Sequence, residues 1–593
     1  MERVADYVIR KVNEAGAGHI FLITGRGILY LTDAVAKNKN ITPVSTFHEQ
    51  GASYAAMAYA SARGGIGACL VSTGCAAANA VTAALCAYQD NLPVVFISGN
   101  NPLNENTRHT GAQIRTYGSQ EADIVSVVKS ITKYAVMLDD PGKAVYEVEK
   151  ALHLAQSGRK GPVWIDVPLD VQNMRIDESK MERFRTGEFQ SGDTGEDAVF
   201  IAKELNRAQR PIVLIGGGTR GAEEKIEEIA ERFHIPIVCS SAAADVFGTG
   251  NNLSIGTAGS LGGSRAGNFA VQNSDLVLAI GTKLCSQLTG AKEKFAREAR
   301  VIVVDIDEKE HTKDGVRIDK VVIGDAKEVL ESLLKCDLTV HDASWVNKCL
   351  HWKKLFAIEN EEFVKELKAE NRIDLYSLAD EISKVLPEDS TIITDAGLEE
   401  LIVPSAIRFK SGQRCLFPAA QGAMGYALPA IIGAYEAGRK NICCIVGDGS
   451  IMMNLQELQI ISSLHIPVKI LVINNDMYAV IRKRQTDLFR NRTIGNDPGD
   501  GVPQPDFKKI AECFGFAYRL IGDRDALMSA LPGLMDERAE IVEVVCEREQ
   551  KYFHESYTLN ESRKLVHRPI EDMSPFLPRD LISREMVVAM MEE

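Results

Sequence analysis

The chain has 593 residues, 45% of them hydrophobic, and its formal net charge is -14. It is too long for a single hydrophobic core and predicts about three domains of roughly 150 residues each. The acidic balance argues against a protein that binds the phosphate backbone of nucleic acids, because such proteins normally present a basic face.

The N-terminal segment carries charges where a signal peptide needs an apolar core, and no apolar run approaches the ~18 residues of a membrane span. The 12 cysteines form no Cys-x-x-Cys pair, and several, such as Cys69 and Cys443, lie in apolar, strand-like runs. This pattern favours buried, reduced thiols over disulfides or a metal site. We expect a cytoplasmic protein that does not contact a membrane.

The first unit, residues 1–175, alternates helical periodicity with short apolar runs. Strands are predicted at residues 19–23, 68–71, 94–98 and 163–167. Such alternation is typical of a doubly wound parallel sheet with helices on both faces. The charged stretch 176–196 shows no sustained periodicity and is predicted to be a linker.

A second unit, residues 190–335, contains strand-like runs that end in glycines or acidic residues. These runs lie at 211–215, 235–239, 276–280 and 301–305. Strands that lead into glycine turns are typical of nucleotide-binding sheets, although the run 216–218 alone is weak evidence. A polar, helix-compatible connector is predicted from about residue 335 to 370.

The third unit, residues 370–547, repeats the pattern and is followed by a charged tail at 548–593. Its strands are predicted at 391–394, 442–446, 468–473 and 541–545. The predicted fold class is therefore α/β, with three doubly wound parallel-sheet domains and a C-terminal tail. We expect a duplicated architecture, and a tail that folds over the surface or over a partner chain.

Two polar motifs follow neighbouring strands of the third unit. Gly447-Asp448-Gly449-Ser450 comes directly after one apolar strand, and Asn474-Asn475 ends the next. Their spacing suits a strand–helix–strand unit that brings both to one sheet edge, where open α/β sheets bind ligands. Hard oxygen ligands beside glycine amides suit Mg2+ and a diphosphate. Each motif alone would be an ordinary turn or loop, but the pair at this spacing predicts a cofactor site.

This pair of motifs resembles the signature of thiamine-diphosphate enzymes. The resemblance implies a pyrimidine-binding first domain, a central domain, and a third domain that binds the diphosphate through Mg2+. It assigns the metal to Asp448, Asn475 and the backbone carbonyl of Met477. It also implies that Met424, which could otherwise be ordinary core, wedges the coenzyme into a bent form. The further cofactor-binding residues that it implies are Gly25, Gly74, Gln421, Gly422, Gly447, Gly449, Ser450, Tyr478 and Ile481.

The resemblance also implies two catalytic residues in the first unit, Glu49 and Gln120. Glu49 begins a stretch rich in alanine and glycine, 49–60, which favours close helix packing. A carboxyl group in a dry pocket there would have a raised pKa suited to proton exchange. The alternative is that His48 and Glu49 simply cap a helix. In this family the glutamate and the diphosphate site come from different chains, so the resemblance implies at least a homodimer, either a dimer or a tetramer.

The match covers nearly the whole chain and is most similar to the acetolactate-synthase branch. The segments that carry it are 48–52, 120–125, 268–276 and 447–458. This implies a carboligase that decarboxylates pyruvate or another 2-oxo acid and transfers the two-carbon acyl unit to a keto acceptor. Three short motifs differ from those of the amino-acid biosynthetic enzyme, and residues 104–117 form a segment that this enzyme lacks. The departures are Gly74-Cys75-Ala76 for Gly-Pro-Gly, Lys483-Arg484 for Gln-Trp, and Ser286-Gln287 for Asp-Arg.

Other stretches, 24–27, 478–485 and 569–573, are more similar to a subgroup associated with nucleotide-sugar and surface-polysaccharide biosynthesis. That similarity implies a nucleotide-linked ketosugar as the acceptor. The cationic cluster Arg482-Lys483-Arg484, with Arg490 and Arg492, would hold its diphosphate. A solvated basic face is an equally good interpretation of that cluster.

Three alternatives stay open. Acetolactate synthase proper and a simple 2-oxo-acid decarboxylase or lyase share the site, although only His109 occurs where pyruvate decarboxylases have paired histidines. A non-catalytic subunit is disfavoured because Glu49, Asp448 and Asn475 are intact. The family's central domain can also hold FAD, here near 216–218, 259–265, Gly281 and 305–307. Loss of the Asp-Arg pair leaves FAD binding open.

Overall fold

In the computed structural model, which describes residues 1–185, 194–559 and 565–590, the chain forms three α/β domains. Each is built on a six-stranded sheet in which neighbouring strands run parallel. The central strands are buried on both faces because helices cover both sides of a parallel sheet. The predicted fold class is confirmed.

The first domain begins and ends with a short antiparallel strand pair that joins its two ends, β1 and β8. The strands are β1 Glu2–Arg3, β2 His19–Leu22, β3 Thr42–Ser45, β4 Gly67–Val71, β5 Val94–Asn100, β6 Tyr134–Met137, β7 Val163–Pro168 and β8 Arg175–Ile176. The helices are α1 Val4–Glu14, α2 Leu29–Lys37, α3 Glu49–Arg63, α4 Cys75–Asn79, α5 Val81–Gln89, α6 Thr107–Thr110, α7 Ile124–Val128, α8 Ala144–Gln156 and α9 Leu169–Asn173.

The central domain follows, and the helix Ala343–Leu355 packs onto its core. The strands are β9 Pro211–Ile215, β10 Ile237–Cys239, β11 Ser254–Thr257, β12 Leu276–Ile280, β13 Arg300–Asp305 and β14 Lys320–Ile323. The helices are α10 Thr194–Arg207, α11 Glu223–Phe233, α12 Arg265–Asn273, α13 Ser286–Thr289, α14 Ala326–Leu333 and α15 Ala343–Leu355. Helix α15 was predicted as part of a connector, but it buries Trp345 and Trp352 in the central core. The Trp345 Nε1 donates to the Pro211 carbonyl at 2.9 Å.

The third domain follows and carries the predicted cofactor motifs. The helices are α16 Glu362–Ala369, α17 Leu375–Val385, α18 Leu398–Ala406, α19 Ala427–Glu436, α20 Leu458–Ser463, α21 Ala479–Phe489, α22 Phe507–Phe514 and α23 Arg524–Ala530. The strands are β15 Ser390–Ile393, β16 Arg414–Leu416, β17 Lys440–Gly447, β18 Val468–Asn474, β19 Ala517–Ile521 and β20 Glu540–Val545. A 3-10 segment, Ile451–Glu457, joins β17 to α20.

The first and third domains share one strand order, and the central domain has another. The first sheet runs β3-β2-β4-β5-β7-β6 and the third runs β16-β15-β17-β18-β20-β19. The central sheet runs β11-β10-β9-β12-β13-β14. The strand order reverses between β2 and β4 in the first sheet and between β15 and β17 in the third. Open α/β sheets bind ligands at such a reversal.

The first and third domains pack against each other through helices α3 and α19. Their buried side chains form one apolar cluster that includes Tyr54 and Tyr426. The helix backbones approach so closely that a Cβ on Gly433 would overlap the carbonyl of Ala55. The small residues predicted to permit close packing at α3 therefore lie in the interface between two domains of one chain.

The tail folds back onto the central domain of its own chain. It contains β21 Tyr557–Leu559, β22 Leu565–His567 and α24 Arg579–Glu585. The Asn268 amide donates to the Ile570 carbonyl at 2.9 Å, and the Asn273 carbonyl oxygen accepts the Val587 and Val588 amides at 2.6 and 3.0 Å. The central domain is thus closed on one side by the C-terminal segment.

Parts of the predicted linker and tail, residues 186–193, 560–564 and 591–593, lie outside the described residues. The predicted linker, 176–196, overlaps regular structure at both ends, because β8 includes Ile176 and α10 begins at Thr194. Over the described ranges, no helix combines the length and the apolar character needed to cross a membrane.

Candidate active site

Two aspartates lie at the switch in strand order of the third sheet. Asp395 follows β15 and Asp448 follows β17, and these strands are neighbours. The Asp395 carboxylate accepts the Ser450 hydroxyl at 2.6 Å and the Gly425 amide at 3.1 Å. Asp395 therefore connects the two loops that carry the predicted cofactor residues.

Asp448 is buried and lacks a cationic partner among the described residues. Its side chain is 2% exposed. Burial raises the pKa of this carboxyl to about 6, although the backbone amide of Asp476 donates to it at 2.7 Å. An ionised carboxylate without a counter-charge is costly in such a place. Asp448 is thus suited to receive a cation.

Asn475 and Met477 lie beside Asp448 at the end of β18. Both residues are buried, and the Asn475 carbonyl oxygen accepts the Met477 amide at 3.2 Å. Carboxylate, amide and backbone oxygens are hard ligands of the kind Mg2+ prefers. The donor set fits Mg2+, whereas no group of three His, Cys, Asp or Glu suited to a metal occurs among the described residues.

The glycines of the Asp448 motif have close neighbours. A Cβ on Gly449 would overlap the ring of Tyr478, and a Cβ on Gly447 would lie 3.3 Å from a Glu399 carboxylate oxygen. Burial raises the pKa of Glu399 to about 8, and Asp395 and Asp448 add to the shift. The absence of a Cβ at these glycines therefore lets Tyr478 and Glu399 pack against the backbone of the motif.

The loop that carries Gln421, Gly422 and Met424 is held by the first domain. The Asp90 carboxylate accepts the Ala420 amide at 2.9 Å, and Gln421 donates to the Gln89 side chain at 2.6 Å. Gly422 has a positive φ of 55°, and a Cβ there would overlap the Glu400 carboxylate. Met424, in the same loop, is half-buried.

Glu49 lies at the first position of α3 and is half-buried. Its carboxylate accepts the Asn79 amide of α4 at 2.9 Å. The preceding backbone amides of Phe47 and His48 donate to Glu457 at 3.2 and 3.1 Å. Within one chain Glu49 is thus less enclosed than the dry pocket that the sequence led us to expect. The predicted cap also exists, since the His48 side chain accepts the Gln50 amide.

Gln120 lies against the Gly74 turn that begins α4. Its backbone has a positive φ of 65°, and its carbonyl accepts the Thr73 hydroxyl at 3.2 Å. A Cβ on Gly74 would overlap that carbonyl, and a Cβ on Gly25 would overlap the Ser72 side chain. Gln120, Gly74 and Gly25 therefore belong to the same end of the first sheet as Glu49.

The predicted residues form two groups within one chain. Glu49, Gln120, Gly25 and Gly74 belong to the first-domain group, and the metal and diphosphate residues belong to the third. Among the described residues, no hydrogen bond joins Glu49 or Gln120 to Asp448, Asn475 or Met477. Phe47, just before α3, is 59% exposed. Met452 and Met453, in the 3-10 segment whose Asn454 and Glu457 contact the start of α3, are 43% and 52% exposed.

The structure adds residues that sequence reasoning missed. They are Asp395, Glu399, Glu400, Glu457, Asn79 and Asp90. The signal for Asp395 was present, since Thr394-Asp395-Ala396-Gly397 follows a predicted strand in the same way as the Asp448 motif does. The others act through contacts between segments far apart in sequence, which no local pattern reveals.

The cationic cluster on α21 is partly neutralised within the chain. Arg482 and Lys483 form ion pairs with Asp497 and Asp487, at 2.7 and 2.8 Å. No ion pair among the described residues involves the other three cations, Arg484, Arg490 and Arg492. Helix α21 buries none of its residues, and Ile481 is 52% exposed.

The residues predicted to contact FAD direct their polar groups into the chain itself. Arg265 pairs with Glu361 at 2.6 Å, and Asp305 contacts the His311 ring at 3.0 Å. The turns at Gly218 and Gly281 pack so closely that a Cβ on Gly218 would lie 2.9 Å from the Gly281 Cα. The tail also covers this region, since its Phe553 carbonyl accepts the Gly262 amide. FAD binding stays a prediction, and we assign it no step.

Three models of one protein family match successive parts of the chain. Residues 2–126, 200–333 and 395–544 match the N-terminal TPP binding domain, the central domain and the C-terminal TPP binding domain of thiamine pyrophosphate enzymes. The chain is 31% identical to a probable acetolactate synthase large subunit of Methanocaldococcus jannaschii, across 90% of this chain and 91% of that protein. It is 29% identical to an acetolactate synthase of Arthrospira platensis, across 90% and 92%. An acetolactate synthase large subunit of Lactococcus lactis is 27% identical, across 92% of each chain. The chain therefore belongs to the thiamine pyrophosphate enzyme family, as an acetolactate synthase-like enzyme.

Proposed function

We propose that this protein is a carboligase that decarboxylates pyruvate or a related 2-oxo acid and transfers the two-carbon acyl unit to a keto acceptor. The observation that carries the proposal is the buried Asp448 carboxylate, without a cationic partner among the described residues and beside the oxygens of Asn475 and Met477. This arrangement supports Mg2+ at the switch point of the third sheet, which is the anchor that a diphosphate coenzyme needs.

The residues of the third domain would bind the coenzyme. Asp448, Asn475 and the Met477 carbonyl hold Mg2+. The backbone around the glycine motif and the Gln421 loop accommodates the diphosphate. Bound thiamine diphosphate supplies the carbanion stabilisation that lets a 2-oxo acid lose CO2. Met424, Tyr478 and Ile481 would contact the rings of the coenzyme, as the resemblance implies.

Glu49 would hold the proton that leaves and returns during the reaction. Its contact with Asn79 keeps the carboxylate at the N-terminus of α3, where it can face a pocket. A partner chain that covers this surface would exclude water from Glu49, as proton transfer in an enclosed site requires. Gln120, beside it on the Gly74 turn, would orient the reacting carbonyl group.

The active site is proposed to form between two copies of the chain, in a dimer or tetramer. Among the described residues of one chain, no hydrogen bond joins Glu49 to Asp448, in line with this proposal. The exposed apolar side chains of Phe47, Met452 and Met453 also support it, because apolar surface of this kind is typical of protein interfaces.

The acceptor is proposed to be a nucleotide-linked ketosugar. Arg484, Arg490 and Arg492 form no ion pair among the described residues and could contribute positive charge to the binding of such an acceptor. Acetolactate synthase proper, in which a second 2-oxo acid is the acceptor, fits the names of the relatives equally well. A simple decarboxylase, in which a proton takes the acceptor's place, is the third candidate.

The reaction would proceed with all atoms accounted for. The bond between C1 and C2 of pyruvate breaks and C1 leaves as CO2. C2 then bonds to the carbonyl carbon of the acceptor, and the oxygen of that carbonyl takes up one proton to become a hydroxyl group. No external oxidant or reductant is needed.

The test is to incubate the protein with pyruvate, Mg2+ and thiamine diphosphate, with and without candidate acceptors. We expect CO2 release that increases when a suitable nucleotide-linked ketosugar is added, together with a branched product. Formation of acetolactate from pyruvate alone would favour acetolactate synthase, and acetaldehyde would favour the decarboxylase. No CO2 from any 2-oxo acid would contradict all three.

A further inference from the structure

The extra segment 104–117 of the first domain is held in place by one buried carboxylate. Glu121, which is 8% exposed, accepts the backbone amides of Thr107 and Tyr117 at 2.7 Å each, and also the Thr107 hydroxyl. Burial alone would raise the pKa of Glu121, but these hydrogen bonds lower it below its ordinary value. The carboxylate thus stays charged and joins both ends of the segment.

Two asparagines also fix the segment, Asn106 from within it and Asn101 from the chain just before it. Asn106 is fully buried, and its side chain accepts the His109 amide at 3.1 Å, which caps α6. The Asn101 amide donates to the Ser119 carbonyl at 3.0 Å, and a Cβ on Gly118 would overlap that amide. The segment is therefore a built element with a defined shape.

This element is attached to the residues predicted to carry the chemistry. Glu121 follows Gln120 directly, and the Gln120 carbonyl packs on the Gly74 turn. That turn starts α4, whose last residue, Asn79, donates to Glu49 at 2.9 Å. A ligand that reaches beyond Gln120 from the reacting carbon would meet the 104–117 segment.

The outer face of the segment combines an unpaired cation with exposed apolar side chains. Arg115 is exposed and forms no hydrogen bond or ion pair among the described residues. Ile114 and Tyr117, on either side of it, are 56% and 54% exposed. By contrast, Arg108 is already engaged by Asp123 at 3.1 and 3.2 Å.

An open cup of about 720 Å³ lies against this face. Its lining includes Arg108, residues 111–115, Asp123 and Asp139. Asp123 is neutralised by Arg108, and Asp139 lies 3.7 Å from the His109 ring. Arg115 is thus the cation of the cup that remains for a ligand. Tyr117 lies outside the lining of the cup, two positions after Arg115 on the same segment. A segment that presents an arginine and an exposed tyrosine ring suits a ligand with both a phosphate group and a planar base.

We propose that the 104–117 segment is the acceptor-recognition element of this enzyme, in which Arg115 binds the diphosphate of a nucleoside-diphosphate-linked substrate and Tyr117 packs against its nucleoside. The proposal rests on the proposed carboligase function and names the part of the acceptor that this site recognises. Glu121 is a positioning residue, since it places the segment next to Gln120.

The direct test measures ligand binding to the holoenzyme. The protein is saturated with thiamine diphosphate and Mg2+, so that the coenzyme site is filled, and titrated with UDP, CDP, GDP and ADP, with inorganic phosphate as a separate arm. We expect at least one nucleoside diphosphate to bind. Arg115→Ala should weaken this binding about tenfold or more, because hydrogen bonds to charged groups contribute strongly. Tyr117→Ala should weaken the binding of nucleoside diphosphates but not the binding of inorganic phosphate.

The matched control is Arg175→Ala, which removes another exposed arginine of the first domain, in β8 and away from the segment. It should leave the titration unchanged. The Glu121→Gln protein should also bind the nucleoside diphosphate more weakly. It should lose hydrogen-exchange protection at the Thr107 and Tyr117 amides, whereas Arg115→Ala and Tyr117→Ala should keep that protection.

Steady-state kinetics separates this proposal from the function on which it rests. With a nucleotide-linked acceptor, Arg115→Ala should raise the KM for the acceptor and not the KM for pyruvate. Absence of pyruvate decarboxylation in the wild-type protein would contradict the carboligase function, whatever the titration shows. Failure of all four nucleoside diphosphates to bind, or binding that Arg115→Ala and Tyr117→Ala do not alter, would overturn the acceptor-recognition element.

Discussion

At the scale of single residues, environment gives similar side chains different chemical properties. Asp448 and Glu121 are both buried carboxyls, yet the pKa of the first is raised to about 6 and that of the second is lowered. Glu121 receives several strong hydrogen bonds, whereas burial outweighs the hydrogen bonds to Asp448. The difference marks Asp448 as a place for a cation and Glu121 as a structural anchor.

Glu49 should be separable from cofactor binding. We expect Glu49→Gln to retain Mg2+-dependent binding of thiamine diphosphate but to slow exchange of the coenzyme's C2 proton about 10²-fold or more, since a positioned acid/base group contributes that much. Hydrogen–deuterium exchange at C2, followed by NMR on the holoenzyme, measures this. An unchanged exchange rate would remove Glu49 from the mechanism.

Asp448 should act on binding instead. Asp448→Asn removes the charge and keeps the shape, so we expect much weaker Mg2+-dependent binding of thiamine diphosphate, measured by calorimetric titration. The control is Asp476→Asn, which changes a neighbouring carboxylate that pairs with Arg548 at 3.2 Å. Equal losses in both variants would mean that charge in this region, and not ligation by Asp448, supports the coenzyme.

At the scale of elements, the loop that carries Gly447 and Gly449 packs closely against neighbouring side chains. We expect Gly449→Ala to weaken coenzyme binding and lower the Tm, because the new Cβ would overlap the Tyr478 ring. Gly522→Ala is the matched control, since nothing lies within 4 Å of a Cβ there. A Gly449→Ala protein with wild-type coenzyme affinity would show that Tyr478 moves freely and does not shape the site.

The contact between Glu457 and the start of α3 should make stability depend on pH. Burial raises the pKa of Glu457 to about 7 in the folded protein, from 4.5. The folded state then binds more protons between these values, so this group makes stability fall as pH rises from about 4.5 to 7. Thermal unfolding from pH 5 to 8 should show a shallower decline for Glu457→Gln, which can still accept the Phe47 and His48 amides. A parallel decline in both proteins would contradict the raised pKa.

The sequence predicted elements and local motifs well, and long-range contacts poorly. Apolar runs predicted β17 and β18 because fully buried strands need no polar alternation, and the glycine motif marked their ends. The role of Glu457 was hidden, because its partners Phe47 and His48 lie some four hundred positions earlier in the chain. Likewise, α15 looked like a connector because its polar residues hide the burial of Trp345 and Trp352.

At the scale of the whole molecule, three sheets serve different purposes. The first and third sheets share a strand order and carry the candidate site residues at equivalent ends. The central sheet has a different order, and the tail closes over it through contacts such as that between Asn268 and Ile570. We infer that the central domain is mainly structural and that catalysis depends on how two copies of the outer domains meet.

This inference is tested most directly by mixing two variants, Glu49→Gln and Asp448→Asn, each inactive as a homo-oligomer. If every active site combines Glu49 of one chain with Asp448 of another, half of the randomly formed dimers contain one intact site. We therefore predict recovery of about a quarter of the wild-type rate of CO2 release after subunit exchange or co-expression. No recovery, with mixed oligomers demonstrated by differently tagged chains, would show that each chain carries a complete site and would contradict the shared active site.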